Sequence, residues 1–202
     1  LSLYIHLPWC IKKCPYCDFN SHRAGKNIPK ERYVMALLHD MKQQSFRVNG
    51  REIQTIFLGG GTPSLFTSEE IFQIIDGAKQ YFSVAKNAEI TMEENPGALE
   101  YDLPTGYLDA GITRLSIGAQ SFNNNSLKLL GRVHNSEDTS RAFISARAAG
   151  FKNINIDIMY GLPNQDLEAA MSDLSCAIDL RPNHISWYQL TLEPNTVFYK
   201  KP

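Results

Sequence analysis

Leu3-Tyr4-Ile5-His6-Leu7-Pro8-Trp9-Cys10-Ile11-Lys12-Lys13-Cys14-Pro15-Tyr16-Cys17 runs from a strand-like opening straight into a loop that carries three thiols within eight positions. Spaced this closely, the cysteines cannot staple a chain of 202 residues. They read instead as ligands kept in a reducing compartment, which points to the cytoplasm. The loop is short enough to wrap three thiolates around one inorganic object. If that object is a four-iron cubane, one iron is left without a protein ligand. An open iron suits a cluster that binds and reduces a substrate rather than one that only carries electrons. The competing reading is structural zinc, with His6 or His22 completing a Cys3His tetrahedron, although zinc loops usually bring a second, distant pair of ligands that this sequence lacks. Cys176 lies on a predicted helix, turned away from its apolar stripe, and joins neither arrangement.

Beyond the first strand, short β-branched or aromatic runs alternate with helical spacing. Strands are predicted at Ser2–His6, Thr55–Leu58, Glu89–Met92, Arg114–Ile117, Asn153–Met159 and His184–Leu190. Helices are predicted at Glu31–Phe46, Ser68–Phe82, Ser136–Ala149 and Asp166–Leu180, the last with Leu167, Met171, Leu174 and Ile178 on one stripe. Ser68 with Glu70 and Ser136 with Thr139 read as helix starts, and Gly150 as a stop. Leu99–Ala110 fills the slot of another helix but carries Pro104 and Gly106, so it is expected to be short or broken; Asn123–Leu130 is one more short helix. Strict alternation implies parallel strands joined by right-handed crossovers, in either a doubly wound sheet or an α/β barrel. In both, chemistry gathers at the C-terminal ends of the strands.

Composition narrows the partners. Twenty basic and 21 acidic side chains are mixed along the chain, with no basic run longer than Lys12-Lys13 or Lys200-Lys201, so nothing argues for gripping a nucleic acid. No stretch approaches the ~18 apolar residues of a membrane span.

Other residues of chemical interest fall at the same strand ends as the cysteines. Gly59-Gly60-Gly61-Thr62-Pro63 follows the second strand, and glycines there allow close approach to the backbone, though an ordinary tight turn would use them too. Glu93, Gln120 and Asp157 stand at or just past three successive strands, suited to an amine and a ribose diol, or else to structural ion pairs with Arg114 or Arg132. Arg132 offers a bidentate fork to a carboxylate. Tyr4 and Tyr16 flank the cysteines and Thr191 follows the last strand, while Trp187 and Tyr188 read as barrel wall.

The Cys-x3-Cys-x2-Cys loop after the first strand resembles the signature of the radical S-adenosylmethionine (SAM) superfamily. That resemblance implies a [4Fe–4S] cluster on Cys10, Cys14 and Cys17, with SAM chelated to the open iron and cleaved by an electron from the cluster to give a 5′-deoxyadenosyl radical. It also implies a partial (β/α)6 TIM-like barrel, with 1–202 as one radical SAM core. Tyr4-Ile-His6-Leu-Pro8-Trp-Cys10, Gly59-Gly-Gly-Thr-Pro-Ser64, Glu93-Glu-Asn-Pro96, Ser116-Ile-Gly-Ala-Gln-Ser-Phe122, Leu130-Gly-Arg132, Asp157-Ile-Met-Tyr-Gly-Leu-Pro163 and Ser186-Trp-Tyr-Gln-Leu190 appear in order. Together they resemble the oxygen-independent coproporphyrinogen III oxidases and their relatives. Carried over position by position, the resemblance makes Tyr4, Tyr16, Gly60, Gly61, Thr62, Glu93, Gln120, Arg132, Asp157 and Thr191 the SAM contacts, and an external electron donor a partner.

Within that group, the true oxidases carry a further cysteine two residues after the third, and an N-terminal extension. Here Phe19 takes that position and almost nothing precedes Leu3. Both features match the HemW-type heme chaperones, which bind heme and pass it to acceptor hemoproteins. The family also continues into a C-terminal domain beyond the point where this sequence stops, at Pro202, and Tyr101–Gly106 is unlike its usual helix.

Overall fold

The computed structural model describes residues 1–25, 27–98 and 102–200. Six strands form one sheet: β1 Ser2–Leu7, β4 Ile53–Gly60, β5 Val84–Glu94, β6 Arg114–Gln120, β7 Asn153–Tyr160 and β8 His184–Gln189. Two short strands, β2 Trp9–Cys10 and β3 His22–Arg23, pair with each other across the cysteine loop. The helices are α1 Lys30–Gln44, α2 Ser68–Tyr81, α3 Pro104–Asp109, α4 Asn124–Leu129, α5 Ser136–Ala149 and α6 Leu167–Asp179.

The sheet order is β1-β4-β5-β6-β7-β8 and every pairing is parallel. A doubly wound sheet starts from an internal strand and grows both ways. Here each new strand is added on the same side, the progression of a barrel. Among the described residues β8 does not pair back to β1, so the arc stays open. The α/β fold is thus a partial six-stranded TIM-like barrel.

Strand alternation sorts the side chains into two faces. Ile5, Leu7, Ile56, Leu58, Ile90, Met92, Leu115, Ile117, Ile154, Ile156 and Ile158 form one core with Val34 and Met41 of α1, Ile71, Ile74 and Ile75 of α2, and Ala142, Phe143 and Ala146 of α5. The opposite parity carries polar groups into the arc: His6, Glu93, Ser116, Asp157 and Ser186. Register puts Glu93 beside Ser116, and Asp157 between Gly118 and Ser186.

The helix ends differ from expectation by one residue. Thr67, not Ser68, caps α2 in a reciprocal box with Glu70, and Asn135, not Ser136, caps α5 with Asp138. Gly150 ends α5 at φ 108°, as its stop role requires. Pro104 does not break a helix but begins α3 at its first turn, where its missing N–H costs nothing. The predicted start at Leu99–Tyr101 lies outside the described residues.

The larger correction concerns α6. Three of the four residues of its expected stripe face outward, with Leu167 78 %, Met171 45 % and Ile178 54 % exposed; Leu174 packs against the core, and Asp173 and Ala177 are buried. Asp173 accepts hydrogen bonds from Ser121 Oγ (2.7 Å), the Phe122 N–H (2.7 Å) and Gln165 Nε2 (3.2 Å). Those three bonds tie α6 to the loops after β6 and β7, and they set its rotation against its apolar pattern.

Candidate functional site

The C-terminal ends of the strands surround a cavity of about 400 Å³. It is lined by Cys10, Cys14, Cys17, Tyr16, Gly60, Gly61, Thr62, Glu93, Gln120, Arg132, Asp157 and Thr191, together with Asn95, Ser116 and Tyr188. Of the expected cluster ligands and SAM contacts, Tyr4 alone does not line it. Tyr4 is 55 % exposed, stacked on Phe57 with centroids 6.2 Å apart, and its hydroxyl donates to His6 Nδ1 at 3.1 Å.

The cysteine loop is held at both ends. The His22 N–H donates to the Pro8 carbonyl and the Ala24 N–H to the Cys10 carbonyl, both at 2.7 Å. Lys13 Nζ closes the loop from within, donating to the carbonyls of Phe19 (2.9 Å) and Ser21 (3.1 Å). His6 Nε2 donates to the Asn20 carbonyl at 2.8 Å, which makes Nδ1 the acceptor for Tyr4. All four cysteines are free; Cys10, Cys14 and Cys17 are half-buried and Cys176 is exposed. Burial pushes the Cys10 thiol up, opposed by hydrogen bonds with Thr62 and Ser21.

The zinc reading needs His6 or His22 beside the three thiols. His6 is committed to Tyr4 and Asn20, and His22 is exposed on β3. Among the described residues no three His, Cys, Asp or Glu side chains converge tightly enough to hold one metal ion.

The glycine loop serves the protein's own packing first. A Cβ on Gly60, whose φ is 116°, would lie 2.4 Å from His6 Nδ1, and one on Gly61 would lie 2.5 Å from the Trp9 carbonyl oxygen. The amides of this loop are engaged: the Gly60 N–H donates to Glu93 Oε2 (3.0 Å), Gly61 N–H to the Leu7 carbonyl (2.9 Å) and Thr62 N–H to the Trp9 carbonyl (2.7 Å).

Burial, with the nearby Asp157 charge adding to it, pushes Glu93 up to about 7 against the pull of the Gly60 N–H. Asp157 accepts from Ser116 Oγ at 2.9 Å and from Asn155 Nδ2 at 2.8 Å, so its carboxylate is oriented before any ligand arrives. Gln120 ends β6 at φ 68°, and the break in register there swings it into the cavity, where Tyr188 OH donates to its Oε1 at 2.7 Å. Gly118 makes room for this turn, since a Cβ there would lie 3.0 Å from Gln120 Nε2 and 3.4 Å from Arg132 Nη2. Neither suggested ion pair forms: Arg114 Nη1 donates to Thr91 Oγ1 (3.3 Å), while Arg132 bonds Cys14 Sγ (3.7 Å), Asn95 Oδ1 (3.3 Å) and the Gly118 carbonyl (2.9 Å). Thr191 sits at the rim, its hydroxyl donating to the Gln189 carbonyl at 3.4 Å.

Sequence reading missed Asn95, Ser116, Asn155 and Tyr188. Tyr188 reads from sequence as barrel wall, yet it shares the inward parity of Ser186 on β8 and lines the cavity.

The radical SAM superfamily model matches residues 4–174. The chain belongs to the radical SAM superfamily. Membership implies a [4Fe–4S] cluster and SAM, and the cavity is lined by three thiols and by polar side chains. The chain is 50 % identical to the heme chaperone HemW of Escherichia coli (strain K12) over 202 residues, covering 100 % of this chain and 53 % of that protein. It is 36 % identical to the HemW of Bacillus subtilis (strain 168) over 199 residues, covering 98 % and 52 %. The solved structure of the radical SAM enzyme coproporphyrinogen III oxidase (HemN) from Escherichia coli superposes with a TM-score of 0.87 at 30 % identity, covering 98 % of this chain and 45 % of that one. The chain spans about half the length of the curated relatives it matches. Among the described residues no helix is long and apolar enough to cross a membrane.

Proposed function

We propose that residues 1–202 form the radical SAM core of a heme chaperone, which binds heme and passes it to acceptor hemoproteins. Cys10, Cys14 and Cys17 hold the cluster, and Tyr16, Gly60, Gly61, Thr62, Glu93, Gln120, Arg132, Asp157 and Thr191 form the SAM site. A cluster in this loop supplies one-electron chemistry at an iron without a protein ligand, given an external one-electron donor. The protein's own part is orientation. Glu93 accepts from an amino group beside the glycine loop. Asp157, pre-set by Ser116 and Asn155, accepts from a diol, and Tyr188 fixes which way the Gln120 amide faces. Tyr4 acts through His6 on the loop.

The observation that carries the chaperone reading is Phe19, which is 60 % exposed two residues after Cys17, where the oxidases carry a further cysteine. The 50 % identity to a heme chaperone across the whole chain supports it. The structural likeness to the oxidase favours the alternative, oxidative decarboxylation of coproporphyrinogen III. The test is to incubate the protein carrying this chain, in its full natural length, with heme and an acceptor apoprotein. In parallel it is incubated with coproporphyrinogen III, SAM and a strong reductant. Heme transfer without protoporphyrinogen IX is expected. SAM-dependent CO2 release above a cluster-free control would replace the chaperone reading with the oxidase.

A further inference from the structure

Arg132 enters from the turn after α4 and presents its guanidinium beside the cysteine loop. Its Nη2 is anchored by Asn95 Oδ1 (3.3 Å) and the Gly118 carbonyl (2.9 Å), and its Nη1 points at Cys14 Sγ, 3.7 Å away. Its Nε is shut off from solvent with no acceptor among the described residues. Nor does any Asp or Glu among them lie within ion-pairing distance of it. The guanidinium is partly buried at the cavity wall with no anion beside it, an unfavourable placement for a charge, so the arrangement calls for a counter-charge that the Asp and Glu side chains do not supply. Three thiolates outweigh the positive charge of an oxidised four-iron core, and reduction adds one more electron.

We propose that Arg132 is a counter-ion of the cluster as well as a SAM contact. Its N–H donates to the Cys14 sulfur, stabilises the reduced cluster over the oxidised one, and so raises the reduction potential. This rests on the cluster assignment above. The two roles share one guanidinium: Nη1 serves the sulfur while Asn95 and Gly118 hold the fork in place. A residue that only gripped the SAM carboxylate would have no effect on the cluster while SAM is absent. A cluster counter-ion acts without SAM.

The test is potentiometry of the anaerobically reconstituted chain without SAM, with the reduced cluster followed by electron paramagnetic resonance after iron and sulfide have been assayed. The reductant is a one-electron donor such as dithionite, whose electron goes to the cluster. In Arg132→Met, the ratio of reduced to oxidised cluster at a fixed ambient potential is expected to fall on the order of tenfold, which is ~59 mV for a one-electron couple. Arg132→Lys keeps the charge and should recover part of that loss. Asn95→Ala frees Nη2 and should lower the ratio by a smaller factor. A methionine variant with full iron content and the wild-type potential would overturn the proposal. Should that variant not assemble a cluster, wild-type potentials in both the lysine and Asn95→Ala variants would overturn it equally. A wild-type chain that takes up no iron and sulfide would overturn the cluster assignment itself, and with it this inference.

Discussion

Replacing Glu94 by glutamine should make the protein more stable, and increasingly so as pH rises. Glu94 follows Glu93 on β5 but lies on the helix side of the sheet near Tyr107 of α3, with both carboxyl oxygens buried and unpartnered among the described residues. Burial alone pushes it up to about 8 from its ordinary 4.5. Between those two values the folded chain holds a proton that the unfolded chain releases, so stability falls as pH climbs through the window and levels off above it. At one pKa unit per ~1.36 kcal/mol, the loss is about 3 kcal/mol by pH 7 and approaches about 5 kcal/mol above pH 8. Glu94→Gln keeps the volume and removes the titration. The two chains should therefore unfold alike near pH 4.5 and diverge by about 3 kcal/mol at pH 7. Glu93 contributes a slope of the same sign. Buried His134, lowered to about 4 by burial and by Arg132, contributes the opposite one, losing stability as pH falls below its usual 6.5. The difference between variant and wild type isolates Glu94 from both. Anaerobic urea unfolding at pH 5, 6, 7 and 8, read by far-ultraviolet circular dichroism, measures it. A difference that does not change with pH would refute the buried, unpartnered carboxyl.

Two further outcomes follow from the cavity wall. Gly60→Ala places a methyl against the His6 ring at a positive φ, so the His6–Asn20 bond should break and iron uptake on reconstitution should fall, as an iron assay would show. Asp157→Asn should leave iron content unchanged and weaken SAM binding by roughly ten- to hundredfold in equilibrium dialysis, the loss of a charge-assisted contact of about 1.5–3 kcal/mol.

The parts of this structure legible from sequence are those set by local chemistry and period. The six main strands are legible because alternate residues on β1, β4, β5, β6 and β7 are buried aliphatics; β8 has no buried residue, and its aromatic and β-branched run marks it instead. The cysteine loop was legible because three thiols in eight positions have few structural uses. β5 is longer than its sequence pattern suggests, because Lys86 and Asn87 interrupt the apolar pattern of Val84–Glu94. The rotation of α6 was not legible at all. It depends on Asp173 reaching Ser121 and Gln165, contacts between segments distant in sequence, next to the open side of the arc where Leu167 and Ile178 meet no covering element among the described residues. The glycine loop was read as making way for a ligand, whereas its tightest neighbours are His6 and the Trp9 backbone. Arg132 was read as a carboxylate fork, and only the fold shows that Cys14 lies on its other side.

We assign Cys10, Cys14 and Cys17 to a four-iron cluster with one iron open to SAM. Anaerobic reconstitution followed by iron, sulfide and zinc analysis, then Mössbauer spectroscopy with and without SAM, tests it directly. The account predicts about four irons and four sulfides per chain. It also predicts one iron site whose signal shifts when SAM is added, loss of the cluster in each single Cys→Ser variant of the three, and an intact cluster in Cys176→Ser. Stoichiometric zinc without sulfide, or a cluster whose irons are all indifferent to SAM, would contradict it.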